Sequence, residues 1–255
     1  MFFVFLLVNK IICFCFGKNR LFPLGIKSPK IACEDTNFLR DYTPFVLFFS
    51  QLLQKFTTFT LAMVVDIHTH NTLTQVQTID TVGIHPWLAL GGDISVVEKG
   101  IAAADAVGEI GLDFACNVPH VEQERIFRAQ LTLAEQHQKP VVLHCVRAFE
   151  EVMRILRDFH LPAVIFHGFI GSIEQAQHAV KQGYYLSFGE RTFRSPKTIE
   201  AMRSTPLSHL FVESDESTTP IEDIYARIAE LRGVDIATLT EATQANFDKI
   251  FSKEQ

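Results

Sequence analysis

The stretch Met63-Val64-Val65-Asp66-Ile67-His68-Thr69-His70 is a short apolar run that ends in two histidines. Because successive side chains of a strand point to opposite faces, His68 and His70 are expected on one face at a strand end. Four more apolar runs farther along the chain each end in a histidine or a carboxylate, namely Glu109, His144, His167 and Asp215. Such strand ends, repeated with helix-like segments between them, are typical of a parallel β/α barrel with a metal site at its C-terminal face.

The regular elements alternate between β-like runs and helical spacing, which predicts βα units and a parallel sheet. Seven strands are predicted, at 63–67, 80–84, 104–109, 140–144, 162–166, 183–188 and 209–213. Helical spacing is found at 120–138, 147–159, 173–182, 221–232 and 235–251. Too few residues lie between His70 and Gly83 for a full unit, so we predict an α/β, TIM-like barrel trimmed by one unit. That unit is expected to be a loop or short strand around Thr74–Gln77.

The composition changes at Met63. Residues 1–62 contain no His, and their 7 basic and 3 acidic residues give a charge of +4. Residues 63–255 hold all ten His, and their 16 basic and 26 acidic residues give −10. We therefore expect one barrel domain over 63–255, with Met63 as the true start and 1–62 as upstream sequence outside the fold.

Two other interpretations of residues 1–62 stay open: a signal or anchor, and an accessory element. The apolar stretch from Met1 to Phe16 is interrupted by Lys10, no basic residue precedes it and no Ala-x-Ala site follows. It also lacks the roughly 20 uninterrupted apolar residues of a membrane-spanning helix. The expected location is therefore the cytoplasm, with no membrane contact.

The remaining cysteines, Cys116 and Cys145, have no spacing of a disulfide framework, and nothing indicates an oxidising compartment. Cys145 follows His144, which admits a thiol nucleophile. The simpler interpretation, which we favour, is a small buried side chain beside a ligand.

The residues at the strand ends predict a site for two divalent metal ions. Glu109 offers a carboxylate that can bridge two ions, His144 and His167 are expected to serve the second ion, and Asp215 to complete the site. Imidazole and carboxylate together favour zinc, manganese or magnesium. Such ions lower the pKa of bound water to about 7, which indicates a hydrolase.

Six motifs, in order, resemble those of the TatD-type metal-dependent hydrolases. They are Asp66-Ile67-His68-Thr69-His70, Gly83-Ile84-His85-Pro86, Gly108-Glu109-Ile110-Gly111-Leu112-Asp113, Pro140-Val141-Val142-Leu143-His144-Cys145, His167-Gly168-Phe169-x-Gly171 and Glu213-Ser214-Asp215. The resemblance covers about 63–251. It implies an amidohydrolase-like barrel, a two-metal site and hydrolysis of phosphodiester or related ester bonds, and members are mostly described as deoxyribonucleases. By resemblance the metal ligands are His68, His70, Glu109, His144, His167 and Asp215, with Asp215 also the general base.

The substrate is less well defined by the sequence. After Asp215 the family usually has a loop with Arg, Gly and Asn, whereas here residues 216–220 lead directly into a helix. The charge of the domain argues against strong sequence-independent DNA binding. The nearest cations are Arg147, Arg191 and Arg194, and of these Arg147 and Arg191 are the candidates for substrate contact. Each can pair with phosphate or form a surface salt bridge. His85 is a further candidate for substrate contact, and Phe193 either stacks on a base or packs in the core.

The leading prediction is a metal-dependent phosphodiesterase or deoxyribonuclease that acts on nucleic-acid ends or short oligonucleotides. The alternative is an amidohydrolase-like hydrolase of a small ester, lactone or amide, which would use the same hydroxide. A non-catalytic binding protein is a third possibility, but it would have no need of all six ligands.

Overall fold

The computed structural model describes residues 64–70 and 76–252, and the backbone alone of residues 2–7, 10–17 and 20–23. The chain divides into two units, Met1–Thr60 and Leu61–Gln255. In the first unit the strands β1 (Phe2–Leu7), β2 (Lys10–Gly17) and β3 (Arg20–Pro23) form an antiparallel sheet in that order. The expectation that Met63 is the true start, with residues 1–62 outside the fold, concerns residues that are mostly not described, and it stays a prediction.

The described residues of the second unit form eight parallel strands. They are β4 (Val64–Val65), β5 (Val76–Gln77), β6 (Thr81–Val82), β7 (Ala106–Asp113), β8 (Val141–Val146), β9 (Val164–Phe166), β10 (Tyr185–Phe188) and β11 (Leu210–Val212). Strands β6 to β11 form a six-stranded sheet in chain order, and β4 pairs with β5. The seven predicted strands are confirmed, and β5 is the short strand expected around Thr74–Gln77, although residues 71–75 lie outside the described part.

Hydrogen bonds join the two sheets on one side. Ile67, just after β4, donates its N–H to the Val212 carbonyl at 3.1 Å, which places β4 beside β11. Among the described strands no ladder links β5 to β6. The strands therefore follow one another around an incompletely closed barrel, with the opening where a full unit is missing.

Seven α-helices lie in the described part of the second unit. They are α1 (Ser95–Gly100), α2 (His120–Gln136), α3 (Phe149–Leu156), α4 (Ile173–Lys181), α5 (Pro196–Ser204), α6 (Ile221–Arg232) and α7 (Ile236–Phe251). Ser172 caps α4 in a reciprocal capping box with Gln175, and Gly233 ends α6 in the left-handed conformation. Short 3-10 turns occupy Pro86–Leu88, Glu190–Arg194 and Leu207–His209. Of the described helices, none is long and apolar enough to cross a membrane.

The apolar side chains separate into two clusters, one on each face of the sheet. The larger cluster joins one face to the helices, for example through Leu143 in β8 and Phe127 in α2. The smaller cluster contains Val142, Ile165 and Phe211 from alternate strand positions. Because strand side chains alternate, this second cluster fills the barrel interior below the C-terminal strand ends.

Candidate metal centre

The structure brings all six predicted ligands to one end of the barrel. Parallel strands place their C-terminal ends at the same edge, so side chains distant in sequence meet there. Two ligands follow β4, one lies in β7, one in β8, one directly after β9 and one three residues beyond β11: His68, His70, Glu109, His144, His167 and Asp215.

The alternation of strand side chains explains the direction of two of the histidines. Val142 and Ile165 are buried in the barrel interior. His144 and His167 each follow two residues later, and therefore continue the same face at the open end of the barrel. Both histidines are buried, at 9% and 8% exposure.

A local irregularity in β7 accompanies Glu109. The pairing of β7 with β8 changes register between Val107 and Ile110, and irregularities of this kind redirect a side chain beside an active site. Gly111 lies at φ +141°, and a Cβ added there would stand 2.1 Å from the His144 carbonyl oxygen. The close approach of β7 to β8 at His144 therefore requires glycine at position 111.

The two carboxylate oxygens of Glu109 face different histidines. Oε1 lies 3.0 Å from Nε2 of His68 and 3.2 Å from Nε2 of His70. Oε2 lies 2.7 Å from Nε2 of His167 and 3.7 Å from Nδ1 of His144. This division is the geometry required of a carboxylate that bridges two ions. Burial alone would raise the pKa of Glu109, but hydrogen bonds from the surrounding histidines outweigh it and hold the pKa well below its usual range.

Backbone hydrogen bonds fix Asp215 against the segment that follows β4. Its N–H donates to the His68 carbonyl at 3.0 Å, and its carbonyl accepts the His70 N–H at 3.1 Å. Its Oδ1 lies 3.7 Å from Nε2 of His70 and 4.0 Å from Nε2 of His68. Asp215 and the two histidines thus form one compact group of potential ligands.

The arrangement fits divalent metal ions. Among the described residues, four groups of side chains each present three donor atoms within 4.8 Å of one another, and Glu109 belongs to two of these groups. The buried Nε2 atom of His68 has no hydrogen-bond partner with acceptable geometry, although Glu109 lies beside it. A buried polar atom without a partner is costly, and a bound metal ion would satisfy this one.

Two carboxylates that the sequence analysis did not assign lie directly behind the ligands. Asp113 Oδ2 lies 3.3 Å from Nε2 of His144, and Glu213 Oε1 lies 3.7 Å from Nδ1 of His167. Burial lowers the pKa of His167, but Glu109 and Glu213 outweigh it and raise that pKa to about 10.

Carboxylates behind metal-bound histidines commonly orient the rings. The signal that could have revealed these two was their even spacing from a ligand. Asp113 follows Glu109 by four positions and Glu213 precedes Asp215 by two, as side chains on one face of a strand do.

The predicted substrate contacts lie around the same opening. His85 places Nε2 4.0 Å from Oε2 of Glu109, and burial followed by the charge of His144 lowers the pKa of His85 to about 4. Arg191 places Nη1 3.9 Å from Oδ2 of Asp215. Arg147 lines a cavity of about 380 Å³ that reaches His167.

Comparison with known proteins gives a consistent result. The family described as TatD related DNase matches residues 50–252. The uncharacterized metal-dependent hydrolase YjjV of Escherichia coli is 34% identical over 150 residues, which are 54% of this chain and 58% of that protein. The 3'-5' ssDNA/RNA exonuclease TatD of Citrobacter rodentium is 31% identical over 201 residues, 67% of this chain and 76% of that one.

The fold agrees with this result. The crystal structure of YjjV from Escherichia coli, described as a TatD homologue, superposes with a TM-score of 0.63 at 26% identity and covers 72% of this chain and 79% of that chain. The TatD family hydrolase of Entamoeba histolytica has the same fold, with a TM-score of 0.61 at 17% identity.

Proposed function

This chain belongs to the TatD family of metal-dependent hydrolases, and we propose that it is a phosphodiesterase that cleaves single-stranded nucleic acid with two divalent metal ions. The observation that carries the proposal is the division of Glu109 between two groups of histidines. Paired ions on either side of a bridging carboxylate suit the displacement of one phosphodiester oxygen by another. The exonuclease relative supports nucleic acid as the substrate class.

In the proposed site, His68, His70 and Asp215 would hold one ion, His144 and His167 the other, and Glu109 both. The majority of imidazole ligands favours zinc over magnesium, whereas the two carboxylates also suit manganese or magnesium. When bound, such ions supply Lewis acidity and lower the pKa of a water molecule to about 7.

The side chains themselves perform three tasks. Asp215 lies at the open side of the site, where its carboxylate can accept the proton of an attacking water. Arg191 lies beside it and can pair with a phosphate oxygen. Nδ1 of His85 accepts a hydrogen bond from the backbone N–H of Trp87, which leaves Nε2 as the protonated nitrogen that can donate to substrate.

The negative charge of the domain restricts the kind of substrate. A net charge of −10 over residues 63–255 opposes tight binding along a long phosphate backbone. The proposed substrates are therefore short oligonucleotides or nucleic-acid ends, held mainly at the site. We also propose that the enzyme acts in the cytoplasm, because Cys116 and Cys145 are both free thiols.

The test is hydrolysis of an end-labelled single-stranded DNA by the purified full chain with magnesium, manganese, zinc or a chelator. The comparison variant is Glu109→Gln, which keeps the shape but removes the bridging charge, and the matched control is Glu200→Gln at an exposed ion pair with Arg203. We expect metal-dependent cleavage, a loss of at least about a hundredfold in Glu109→Gln, and no loss in the control.

Metal content provides a second readout. Wild-type protein should bind two ions per chain and Glu109→Gln fewer. Metal-loaded, folded protein that cleaves carboxylic esters or lactones but no phosphodiester would contradict the proposal and favour a small-ester hydrolase.

A further inference from the structure

Trp87 is a large aromatic side chain left in solvent at the edge of the metal centre. It lies in the 3-10 turn Pro86–Leu88, directly after His85, and is 58% exposed. It is the single tryptophan of the chain. Among the Phe, Tyr and Trp residues whose side chains are described, Trp87 alone is exposed. Tryptophan usually buries most of its surface, so an exposed one beside a reactive site needs an explanation.

The indole is held in place by the supporting structure of the site. Its Nε1–H donates to Oδ2 of Asp113 at 2.7 Å. The same oxygen lies 3.3 Å from Nε2 of His144, so one carboxylate holds the indole and faces a ligand histidine. The ring centroid of Trp87 lies 4.6 Å from that of His85 and 6.1 Å from that of His144. The exposed ring is therefore positioned within one nucleotide's reach of the metal centre.

Other aromatic residues do not fill this role. Phe193, considered from the sequence as a stacking side chain, packs against the hydrophobic core. Phe149 and Phe169 are buried, and contact each other in a T-shaped arrangement. Phe114 lines the cavity beside His167 but is only partly exposed and stacks on His120. Trp87 is thus the most exposed aromatic side chain that the described part of the barrel offers to a substrate at the site.

We propose that Trp87 is a stacking platform for a base next to the phosphodiester that is cleaved, and that it selects single-stranded over duplex nucleic acid. This inference rests on the proposed function and adds its binding determinant. Stacking on an aromatic ring accepts any base but requires that the base has left its duplex partner. It also needs no positive charge, which suits a domain of net charge −10.

The first test uses the fluorescence of the single tryptophan as a local reporter. Full-length wild-type protein is mixed in a stopped-flow instrument with octathymidylate, with the metal that supports cleavage, or with magnesium if none does. The comparison oligonucleotide has the same phosphates but a stable abasic sugar at every position. We expect rapid quenching by octathymidylate and little by the abasic chain or a blunt duplex. Equal quenching by the thymidylate and abasic chains, or none by either, would overturn the proposal.

The second test separates the aromatic face from the hydrogen bond. Trp87→Leu and Trp87→Phe both lose the N–H that Asp113 accepts, but phenylalanine keeps a face for stacking. We expect the KM for a single-stranded oligonucleotide to rise about tenfold in Trp87→Leu and only about two- to threefold in Trp87→Phe. The kcat should change less than KM. Leu90→Ala, at a neighbouring position that is 68% exposed, is the control and should behave as wild type.

Two results would contradict the inference while leaving the nuclease proposal intact. The first is cleavage by wild type with the same KM in Trp87→Leu and Trp87→Phe. The second is loss of self-association in Trp87→Leu with unchanged oligonucleotide affinity, which would assign the indole to a protein interface. Conversely, base-dependent quenching without cleavage under any metal would sustain the stacking platform and contradict the nuclease.

Discussion

The buried carboxylate of Asp66 accepts two hydrogen bonds from Ser214, one from its backbone N–H at 2.9 Å and one from its hydroxyl at 2.6 Å, across 148 positions of sequence. Ser214 lies in the chain between Glu213, whose carboxylate faces His167, and Asp215. The contact therefore joins the strand that carries His68 to the segment that completes the metal centre.

Asp66→Ala should destabilise the protein and weaken metal binding together. The Ser214 N–H and hydroxyl would lose their buried acceptor, which costs about 2 to 4 kcal/mol of the free energy of unfolding. Urea denaturation and metal titration of the full chain measure the two effects. Asp223→Ala, at an exposed site in the first turn of α6, is the control. Wild-type stability in Asp66→Ala would show that the contact contributes little.

Asp113→Asn should lower metal affinity without unfolding the protein. The charge of Asp113 faces Nε2 of His144, and loss of such a partner typically weakens metal binding about 10- to 100-fold. Competition with a chromogenic chelator measures the affinity, and thermal unfolding checks the fold. Asp158→Asn, at an exposed pair with Arg128, should leave affinity unchanged. Equal affinities in the two variants would refute the orienting role.

Arg191→Ala and Arg147→Ala should each raise the KM for an oligonucleotide about three- to tenfold, because each is expected to lose one phosphate contact. In each variant, the slope of log kcat/KM against log salt concentration should also become shallower by about one. Arg125→Ala, at an exposed pair with Glu122 on α2, provides the comparison. A salt dependence identical to wild type would place both arginines outside the substrate path.

Cys145→Ala should keep activity within about twofold of wild type, since its loss removes little more than one small packed side chain. Burial raises the pKa of the Cys145 thiol to about 12, so the group stays protonated at neutral pH and the reactive thiolate forms only as the pH approaches that value. The measurement is the steady-state rate of oligonucleotide hydrolysis by the variant and by wild type, with the metal that supports cleavage. Loss of activity in a folded, metal-loaded Cys145→Ala protein would revive a thiol nucleophile.

Much of the site was predictable because its signals are local. His68, His70, Glu109, His144, His167 and Asp215 all end apolar runs, and the structure brings them together as expected. The helix boundaries were equally readable where caps are present, as at Ser172 and Gly233. The short helices Ser95–Gly100 and Pro196–Ser204 were missed, since each is too short to show a clear period.

The sequence by itself determined the barrel class and which side chains end the strands as candidate donors, because strand alternation and run length depend only on neighbouring residues. The tertiary structure decided which groups meet: Asp66 with Ser214, Asp113 with both His144 and Trp87, and Phe193 with the core. Those pairings depend on strand order, register and close packing between segments far apart in the chain. Only the folded molecule therefore shows that Trp87 stays exposed beside the metal centre while Phe193 packs away.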